Sequence, residues 1–525
     1  MEPSPASAPP AAARKGLWPP PPPRSGPPPL ISLCILSLDG ADLLDRLLAS
    51  FAATNLHPEV EILVCDHGSG DGTLELLRGW AGRLPVRIIA RGANYSFSQS
   101  NNRLAQLARG ELVLFLNNDV VFTEDVLTDM AALMADAGVA AVGLKQRRGL
   151  PGDADSRIYH LGVRLIWNPV ERRLRPQHVI PSPRDALIEH AAAQFPAVTA
   201  SILLCRRAEF LQVGGFSPAY HYGLEDVDLC CRLRWRLGKA IVSLNSAEAV
   251  HPKNSTRDRD RTGRRPLEKV NRRVLQRRCG YRLRRELIEQ RIGDDGSLTG
   301  RPMAVGLVLE AEQALPAGAA ALAQTLPLRG WEVRRLTPDD ALKALDVIVA
   351  CTPRFDPGAG AGADPHTITV SWMAEPEAEG FDLRLDDDVA PTAFAERVRA
   401  CLTAQKLAMK AAGPDASLTA LAEGLRRRGL RVRIDLEDAW YADRAVADDV
   451  VLIAPDAGRF RPVGDQINLL LGERQGAPPD GVDAVIGIDQ EPEELVQAVV
   501  AALGPLHDAR MAGPQEPRLE DPRAA

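Results

Sequence analysis

The chain has 525 residues, 45% hydrophobic and 25% charged, enough material for several buried cores and a composition that excludes wholesale disorder. Its net charge of -6 averages two unlike halves: residues 1–302 carry 41 basic and 32 acidic side chains, and residues 303–525 carry 22 and 37. The asymmetry points to different work in each half, and no run approaches the roughly 18 apolar residues of a membrane-spanning helix.

Residues 1–29 contain 12 prolines, including Pro19 to Pro23. Proline lacks a backbone donor and favours extended polyproline conformation, so a disordered tail or spacer is expected. A signal peptide is not expected, because proline stands where a signal needs its apolar stretch. The eight cysteines are scattered and mostly sit in apolar runs, which reads as reduced core thiols in the cytoplasm.

From Leu30 to about Ala249, short apolar runs alternate with helical patterns. Strands are expected over 30–38, 60–65, 86–90 and 111–116, and helices over 41–53 and 73–82. That alternation predicts a mainly parallel α/β sheet. Residues 145–195, rich in arginine and proline, are expected to be an irregular insertion at one edge.

Open α/β sheets bind ligands beyond the carboxyl ends of their strands, so the polar residues ending each run matter most. The run from Glu61 to Cys65 ends in Asp66-His67-Gly68-Ser69-Gly70-Asp71-Gly72-Thr73. The run from Leu112 to Leu116 ends in Asn117-Asn118-Asp119, and that from Ile241 to Val250 ends in His251. Two carboxylates and an imidazole therefore reach one rim, and Asp119 with His251 suits a divalent ion that also takes phosphate oxygens. Singly, each has a plainer reading: a turn with a helix cap at Asp71 or Thr73, a polar turn, a surface or core histidine. Their co-location favours a site. Downstream, Glu225-Asp226-Val227-Asp228 sets three carboxylates within four residues. Crowded like charges favour taking up a proton, as a general base must; the plainer reading is an acidic first helical turn.

These pieces, joined by the run Asn94 to Asn102, by Thr199-Ala200-Ser201 and by Gly214-Gly215-Phe216, resemble in type and order the family-2 glycosyltransferases of the GT-A fold, over residues 30–275. The resemblance implies donor-binding roles for Ser37, Asp39, Asp66, Ser69, Asn94, Asn102, Asn117 and Asn118. Asp66 would meet the base or ribose, and Asn94 and Asn102 would hold the loop shaping the donor pocket. Asn117 and Asp119 fall on the family's DxD site, which implies a divalent metal, Mn2+ or Mg2+, held by Asp119 and His251. Asp226 is implied as the catalytic base and Glu225 as the residue positioning the acceptor or the base. Asp228 is implied to cap or orient, and Arg232 to steady the acidic motif or a phosphate. Three departures bear on donor preference: Asn117 replaces the first aspartate of DxD, Ser96 stands where glycine is usual, and His67 where Asp or Asn is usual.

The implied reaction is one in-line displacement on a nucleotide-diphospho-sugar. A hydroxyl of a glycan or lipid-linked acceptor attacks, inverting the anomeric centre, in cell-envelope polysaccharide synthesis. The alternative is a non-catalytic sugar-nucleotide or glycan-binding scaffold derived from a transferase.

Residues 252–285 are dense in arginine and lysine; Leu267, Val270 and Val274 fall on one helical face, and Gly280 is expected to end that helix. Such a helix either packs on the transferase domain or lies on an anionic surface, making 253–285 a candidate peripheral contact at the inner face of the membrane. Tyr281 is the one aromatic residue in this stretch, so base stacking has little to use and nucleic acid is not an expected partner.

The acidic half contains two copies of one unit, 303–404 and 405–504. Leu328-Arg329-Gly330-Trp331-Glu332-Val333-Arg334 parallels Arg427-Arg428-Gly429-Leu430-Arg431-Val432-Arg433, and Asp346-Val347-Ile348-Val349 parallels Asp449-Val450-Val451-Leu452. Each copy predicts strand, helix, four strands and helix, a Rossmann-like layer. The pair resembles modules found beside family-2 domains in bacterial polysaccharide enzymes, or the halves of a GT-B transferase. Gly358, Gly360 and Gly362 follow Pro357 rather than a strand, so no dinucleotide fingerprint is present, and a scaffold, acceptor-recognition or assembly role is expected. The domain plan is a transferase domain over 30–290 with its basic C-terminal helix, the two repeats, and a polar tail over 505–525.

Overall fold

A computed structural model describes residues 27, 29–150, 153, 156–168, 173–180, 192–220, 223–252, 264–293, 302–342, 344–355, 367–372, 381–385, 389–413, 415–436, 450–455, 467–472, 482–487 and 491–512. The contacts divide the chain into two compact units. The first is built on residues up to Arg164 and on Pro176–Leu275; the second is built on Leu165–Arg175 and Gln276–Arg510. Most of the proline-rich N-terminal segment lies outside the described residues.

The first unit begins with β1 (Ile31–Ser37), α1 (Ala41–Thr54), β2 (Val60–Asp66), α2 (Thr73–Ala81), β3 (Val86–Ala90), α3 (Phe97–Leu107) and β4 (Leu112–Leu116). The expected strands and helices therefore form, with ends moved by a residue or so. Strands β1 and β4 read as unbroken apolar runs because helices cover both faces, and nearly every side chain is buried. Helix α3 starts on a reciprocal capping box, in which Ser96 Oγ accepts from Gln99 N and Gln99 Oε1 accepts from Ser96 N.

The chain continues through β5 (Val121–Phe122), α4 (Leu127–Leu133), β6 (Val139–Arg147), β7 (Ile158–His160), β8 (Val163–Asn168), β9 (Arg173–His178), β10 (Ala192–Phe195), β11 (Ile202–Arg206), α5 (Arg207–Gln212), α6 (Glu225–Leu237) and β12 (Ala240–Val250). The sheet order is β10-β12-β6-β11-β4-β1-β2-β3, with β5 on β12 and β7 on β6. Strands β3, β2, β1 and β4 are parallel, as expected. Strand β11 enters antiparallel between β4 and β6, and β10 is antiparallel to β12, so the sheet is mixed rather than mainly parallel.

The stretch 145–195 is not the irregular insertion its composition suggested. Four strands follow β6 there, around a small core of Leu161, Val179, Ala193 and Phe195. Arginine and proline density masked those widely spaced apolar positions.

Helix α7 (Arg264–Ile292) runs straight through Gly280, which does not end it. One mid-helix glycine costs only about 1 kcal/mol, and Gln276 packs so close that a Cβ at this position would lie 2.1 Å from its Nε2. The buried stripe is Leu275, Cys279, Leu283 and Leu287, whereas Val270 of the expected stripe is 42% exposed. Arg278, Arg284 and Arg291 are buried as well, with Arg291 Nη1 2.7 Å from Asp346 Oδ1. This stretch of the helix therefore spends its apolar face and part of its charge inside the protein. Residues 253–263 lie outside the described residues, and no helix among the described residues is long and apolar enough to cross a membrane.

The second unit continues with β13 (Ala304–Val308), α8 (Ala317–Thr325), β14 (Glu332–Leu336), β15 (Val347–Ala350), β16 (Ile368–Ser371), β17 (Leu383–Arg384) and α9 (Pro391–Thr403). Then come β18 (Lys406–Ala411), α10 (Ala416–Arg427), β19 (Arg431–Leu436), β20 (Val450–Ile453), β21 (Ile467–Leu471), β22 (Ala484–Ile486) and α11 (Pro492–Ala512). The two sets make separate five-stranded sheets of the same order, β14-β13-β15-β16-β17 and β19-β18-β20-β21-β22. Helix α11 continues past Pro505 to Ala512, into the expected polar tail.

Candidate active site

Parallel pairing of β1 with β2 and β4 brings three carboxyl ends to one edge of the first unit: Ser37 lies opposite Asp66, and Ile35 opposite Leu116. The loops leaving these strands carry most of the candidate residues.

Beyond β2, the Asp66 carboxylate turns back on its own loop. Its Oδ2 accepts from Gly68 N and Ser69 N, each at 3.2 Å, while Oδ1 is buried and has no hydrogen-bond partner among the described residues. Ser69 Oγ accepts from Asp39 N at 2.9 Å, and Asp39 Oδ1 accepts from Gly70 N at 2.8 Å. The two loops are thus laced together, with Asp39 held at φ 48°, a left-handed conformation that aspartate tolerates. Asp71 caps both sides, taking Ala41 N at 2.9 Å and Thr73 N at 3.1 Å. Burial pushes its carboxyl up, but these bonds and that from the Thr73 hydroxyl outweigh it and hold the group below the usual aspartate range.

His67, the departure next to Asp66, is wired into the loop that follows β3. Its Nδ1 lies 3.0 Å from Asn94 Oδ1 and its Nε2 2.7 Å from Ser100 Oγ. Burial holds the imidazole below the usual histidine range, against the opposing bond from Asn94. Asn94 therefore does hold its loop, by gripping His67. Asn102 spends both ends of its amide on one backbone unit: Nδ2 donates to Phe216 O and Oδ1 accepts from Phe216 N, both at 2.8 Å. It joins α3 to the Gly214-Gly215-Phe216 turn.

Beyond β4, Asn117 N donates to Ser201 O at 3.0 Å. Asn118 is buried and its Nδ2 donates to Ser37 Oγ at 3.4 Å. Gly40 makes that approach possible, since a Cβ there would sit 2.8 Å from Asn118 Nδ2 and 2.9 Å from Ser37 Oγ. Asp119 is buried, with Oδ1 3.1 Å from His251 Nε2, and Asn117 Nδ2 lies 3.3 Å from the same nitrogen. The structure thus joins Asn117, Asp119 and His251 directly, from two distant parts of the sequence.

The other side of the His251 ring fixes its tautomer. Nδ1 faces Gln146 Oε1 at 3.0 Å and the Tyr159 hydroxyl, and that hydroxyl donates to Gln146 Oε1 at 2.8 Å. A carbonyl oxygen only accepts, so Nδ1 carries the ring proton. Nε2 then meets Asp119 Oδ1 as acceptor against acceptor, an arrangement that a second ring proton or a bound cation resolves. A neutral imidazole anchored through its other nitrogen is what a metal requires of histidine. The donor set therefore fits a divalent ion that completes its shell from water and phosphate oxygens. The described residues contain no group of three or more His, Cys, Asp or Glu side chains able to hold an ion unaided. Gln146 and Tyr159 were not legible in the sequence, because both lie in the stretch read as irregular.

Helix α6 delivers the acidic motif. It follows Gly223 and Leu224, both at positive φ, and Leu224 at 74° is a strained position for a bulky side chain. Asp226 is partly open; its Oδ2 accepts from Ala200 N at 3.1 Å and its Oδ1 from Val227 N at 2.8 Å. Each oxygen keeps a further lone pair. Glu225 is buried beside it. Asp228 turns into the core, where Arg232 Nε donates to its Oδ2 at 2.7 Å and Tyr220 Oη to its Oδ1 at 3.2 Å. Arg232 also donates to Val213 O at 2.7 Å and is only 2% exposed, so it steadies the motif and is not placed to take a phosphate. The segment Thr199-Ala200-Ser201 links the parts, bonding to Asp226, Asn117 and Gln146 in turn.

Comparison with known proteins agrees with this geometry. Residues 32–193 match the model of glycosyl transferase family 2. The chain is 32% identical over 248 residues to the N-acetylglucosaminyl-diphospho-decaprenol L-rhamnosyltransferase of Mycobacterium tuberculosis, covering 41% of this chain and 74% of the relative. It is 29% identical over 260 residues to an uncharacterized protein of Sinorhizobium fredii, where it spans 47% of this chain but only 26% of that one. A crystal structure of GalNAc-T7 with UDP, GalNAc and Mn2+ aligns at TM-score 0.39 and 16% identity over 50% of this chain and 51% of the other, too distant to add to the argument.

Proposed function

The chain belongs to glycosyl transferase family 2, and from that premise we propose that its first unit is an inverting, metal-dependent GT-A transferase. It moves a sugar from a nucleotide-diphospho-sugar to a hydroxyl of a glycan or lipid-linked acceptor in cell-envelope polysaccharide synthesis. The observation that carries the reading is the Asp119–His251 pair at 3.1 Å, acceptor facing acceptor, joined through Asn117 and the 199–201 segment to Asp226. The named substrate of the mycobacterial relative, a diphospho-decaprenol, supports the lipid-linked acceptor.

Asp119 and His251 would hold Mn2+ or Mg2+, which when bound supplies charge neutralisation for the departing nucleoside diphosphate. The remaining steps fall to the chain's own groups. Asp66 offers its unpartnered Oδ1 to the donor's nucleoside, from a loop kept rigid by Asp39 and Ser69. Asp226, oriented by Ala200 N, takes the proton from the acceptor hydroxyl at a remaining lone pair as that oxygen attacks the anomeric carbon. One displacement with no covalent intermediate inverts that carbon. Glu225 shapes the acceptor side.

The second unit, in the same reading, is a duplicated Rossmann-like module serving as scaffold or acceptor platform. A cytoplasmic place, peripheral at the membrane's inner face, belongs to the same account. The eight free thiols, seven of them buried, suit a reducing compartment.

The test is a thermal-shift screen of nucleotide sugars with Mn2+, followed by hydrolysis assays on wild type, Asp226→Asn and Asp119→Ala. Turnover by wild type alone is expected. Binding without turnover in all three proteins would establish the non-catalytic scaffold instead.

A further inference from the structure

The end of β6 carries an uncompensated cation that the roles assigned above leave unused. Gln146 and Arg148 stand two residues apart, at the spacing that places side chains on one face of a strand. Gln146 is fully buried, and its Oε1 serves Tyr159, Ser201 and His251, yet its Nε2 is buried without an acceptor. The Arg148 guanidinium lies over the Tyr159 ring, with Cζ 5.1 Å from the centroid. Its Nε and Nη1 are likewise buried with no acceptor among the described residues.

Its neighbour Arg147 makes the contrast plain. Glu248 takes Arg147 through two bonds, at 2.8 and 3.1 Å, and Lys145 also reaches Glu248. One arginine of the pair is fully neutralised and the other is stacked on an aromatic ring with idle donors. Burying a cation and leaving its donors unpaired is costly, and such a cost is kept where a ligand offsets it. The ring beneath Arg148 belongs to the tyrosine whose hydroxyl meets His251, so the idle donors belong to the same cluster of side chains as the Asp119–His251 pair.

We propose that Arg148, with Gln146 Nε2 beside it, is a phosphate-binding residue of this site. It would donate from Nε and Nη1 to oxygens of a substrate diphosphate, in the forked geometry that guanidinium offers phosphate. The inference rests on the reading of the rim as a diphosphate-substrate site. The diphosphate belongs either to the nucleotide donor or to a lipid-linked acceptor, and both present the same chemistry.

The test is calorimetric binding to full-length wild type, Arg148→Ala and Arg148→Lys, in Mn2+, with UDP, dTDP and GDP on one side and farnesyl diphosphate on the other. Ligand-free thermal unfolding is measured in parallel. Arg148→Ala should weaken at least one diphosphate by about tenfold or more, as expected for lost charge-assisted hydrogen bonds. Arg148→Lys should recover part of it. Ligand-free Tm should be equal to or above wild type, because no native partner is lost. Weakening confined to nucleotides assigns the donor, and weakening confined to farnesyl diphosphate assigns the acceptor. Unchanged affinities in Arg148→Ala, with or without a fall in Tm, overturn the proposal. If wild type binds none of the probes, the diphosphate reading of the rim falls, and the proposal with it.

Discussion

His251 Nε2 and Asp119 Oδ1 lie 3.1 Å apart, one at the close of β12 and the other just after β4. The proton on the far side of the ring is committed to Gln146 and Tyr159, so the pair presents two lone-pair atoms to one point. Holding the imidazole in that state is the task of the groups behind it. Tyr159→Phe should therefore raise the Mn2+ dissociation constant by about 10–100-fold, the usual cost of losing a partner behind a metal-binding histidine. Titration calorimetry with Mn2+ checks this, and an unchanged constant removes Tyr159 from the account.

Asp228 and Arg232 are a buried ion pair, 0% and 2% exposed. Asp228→Asn should cost about 3–5 kcal/mol, because Arg232 is left as an uncompensated buried charge. Replacing both residues by apolar ones of similar volume should cost much less, since no charge then remains to be desolvated. Urea unfolding of the single and double variants decides. Equal losses in the two would show that the pair's hydrogen bonds, rather than its charge, set the cost.

Asn102→Ala should destabilise the protein by about 1–3 kcal/mol, since it leaves the buried backbone of Phe216 without partners. An unchanged denaturation midpoint with lost donor affinity would return Asn102 to the donor-binding role that its motif implied.

Two buried histidines give stability a defined pH dependence. Burial holds His67 below the usual range, and burial together with the charges of His178 and His251 holds His160 well below it. A histidine whose folded pKa is depressed binds fewer protons folded than unfolded, so stability is full above the unfolded value of about 6.5 and falls as pH drops below it. Tm should fall between pH 7.5 and pH 5, and His160→Gln should flatten that slope. A slope of opposite sign in wild type contradicts the assignment.

Much of this site was legible because its residues end apolar runs. Asp66, Asn117, Asp119 and His251 follow strands whose patterns are unambiguous, and a parallel sheet must bring such ends to one edge. The acidic motif was legible as a motif, but its division of labour was not. Nothing in Glu225-Asp226-Val227-Asp228 says that Asp228 turns inward to Arg232 while Asp226 stays open, since that depends on how α6 packs. Gln146, Arg148 and Tyr159 were hidden for a different reason. They lie on short strands whose pairing is non-local, and the surrounding arginines and prolines drown the period-two signal. Gly280 misled in the opposite direction, because a helix with a buried face on either side absorbs one glycine.

The most direct test of the central claim is nucleoside diphosphate release from a panel of nucleotide sugars by wild type, with Mn2+ and again with excess chelator. The account predicts release from at least one donor that the chelator abolishes, Asp119→Ala nearly abolishes, and Asp226→Asn reduces by about 10²–10⁴-fold, the range of a lost general base. Release that survives the chelator and both substitutions, or pyrophosphate as the product, would contradict it.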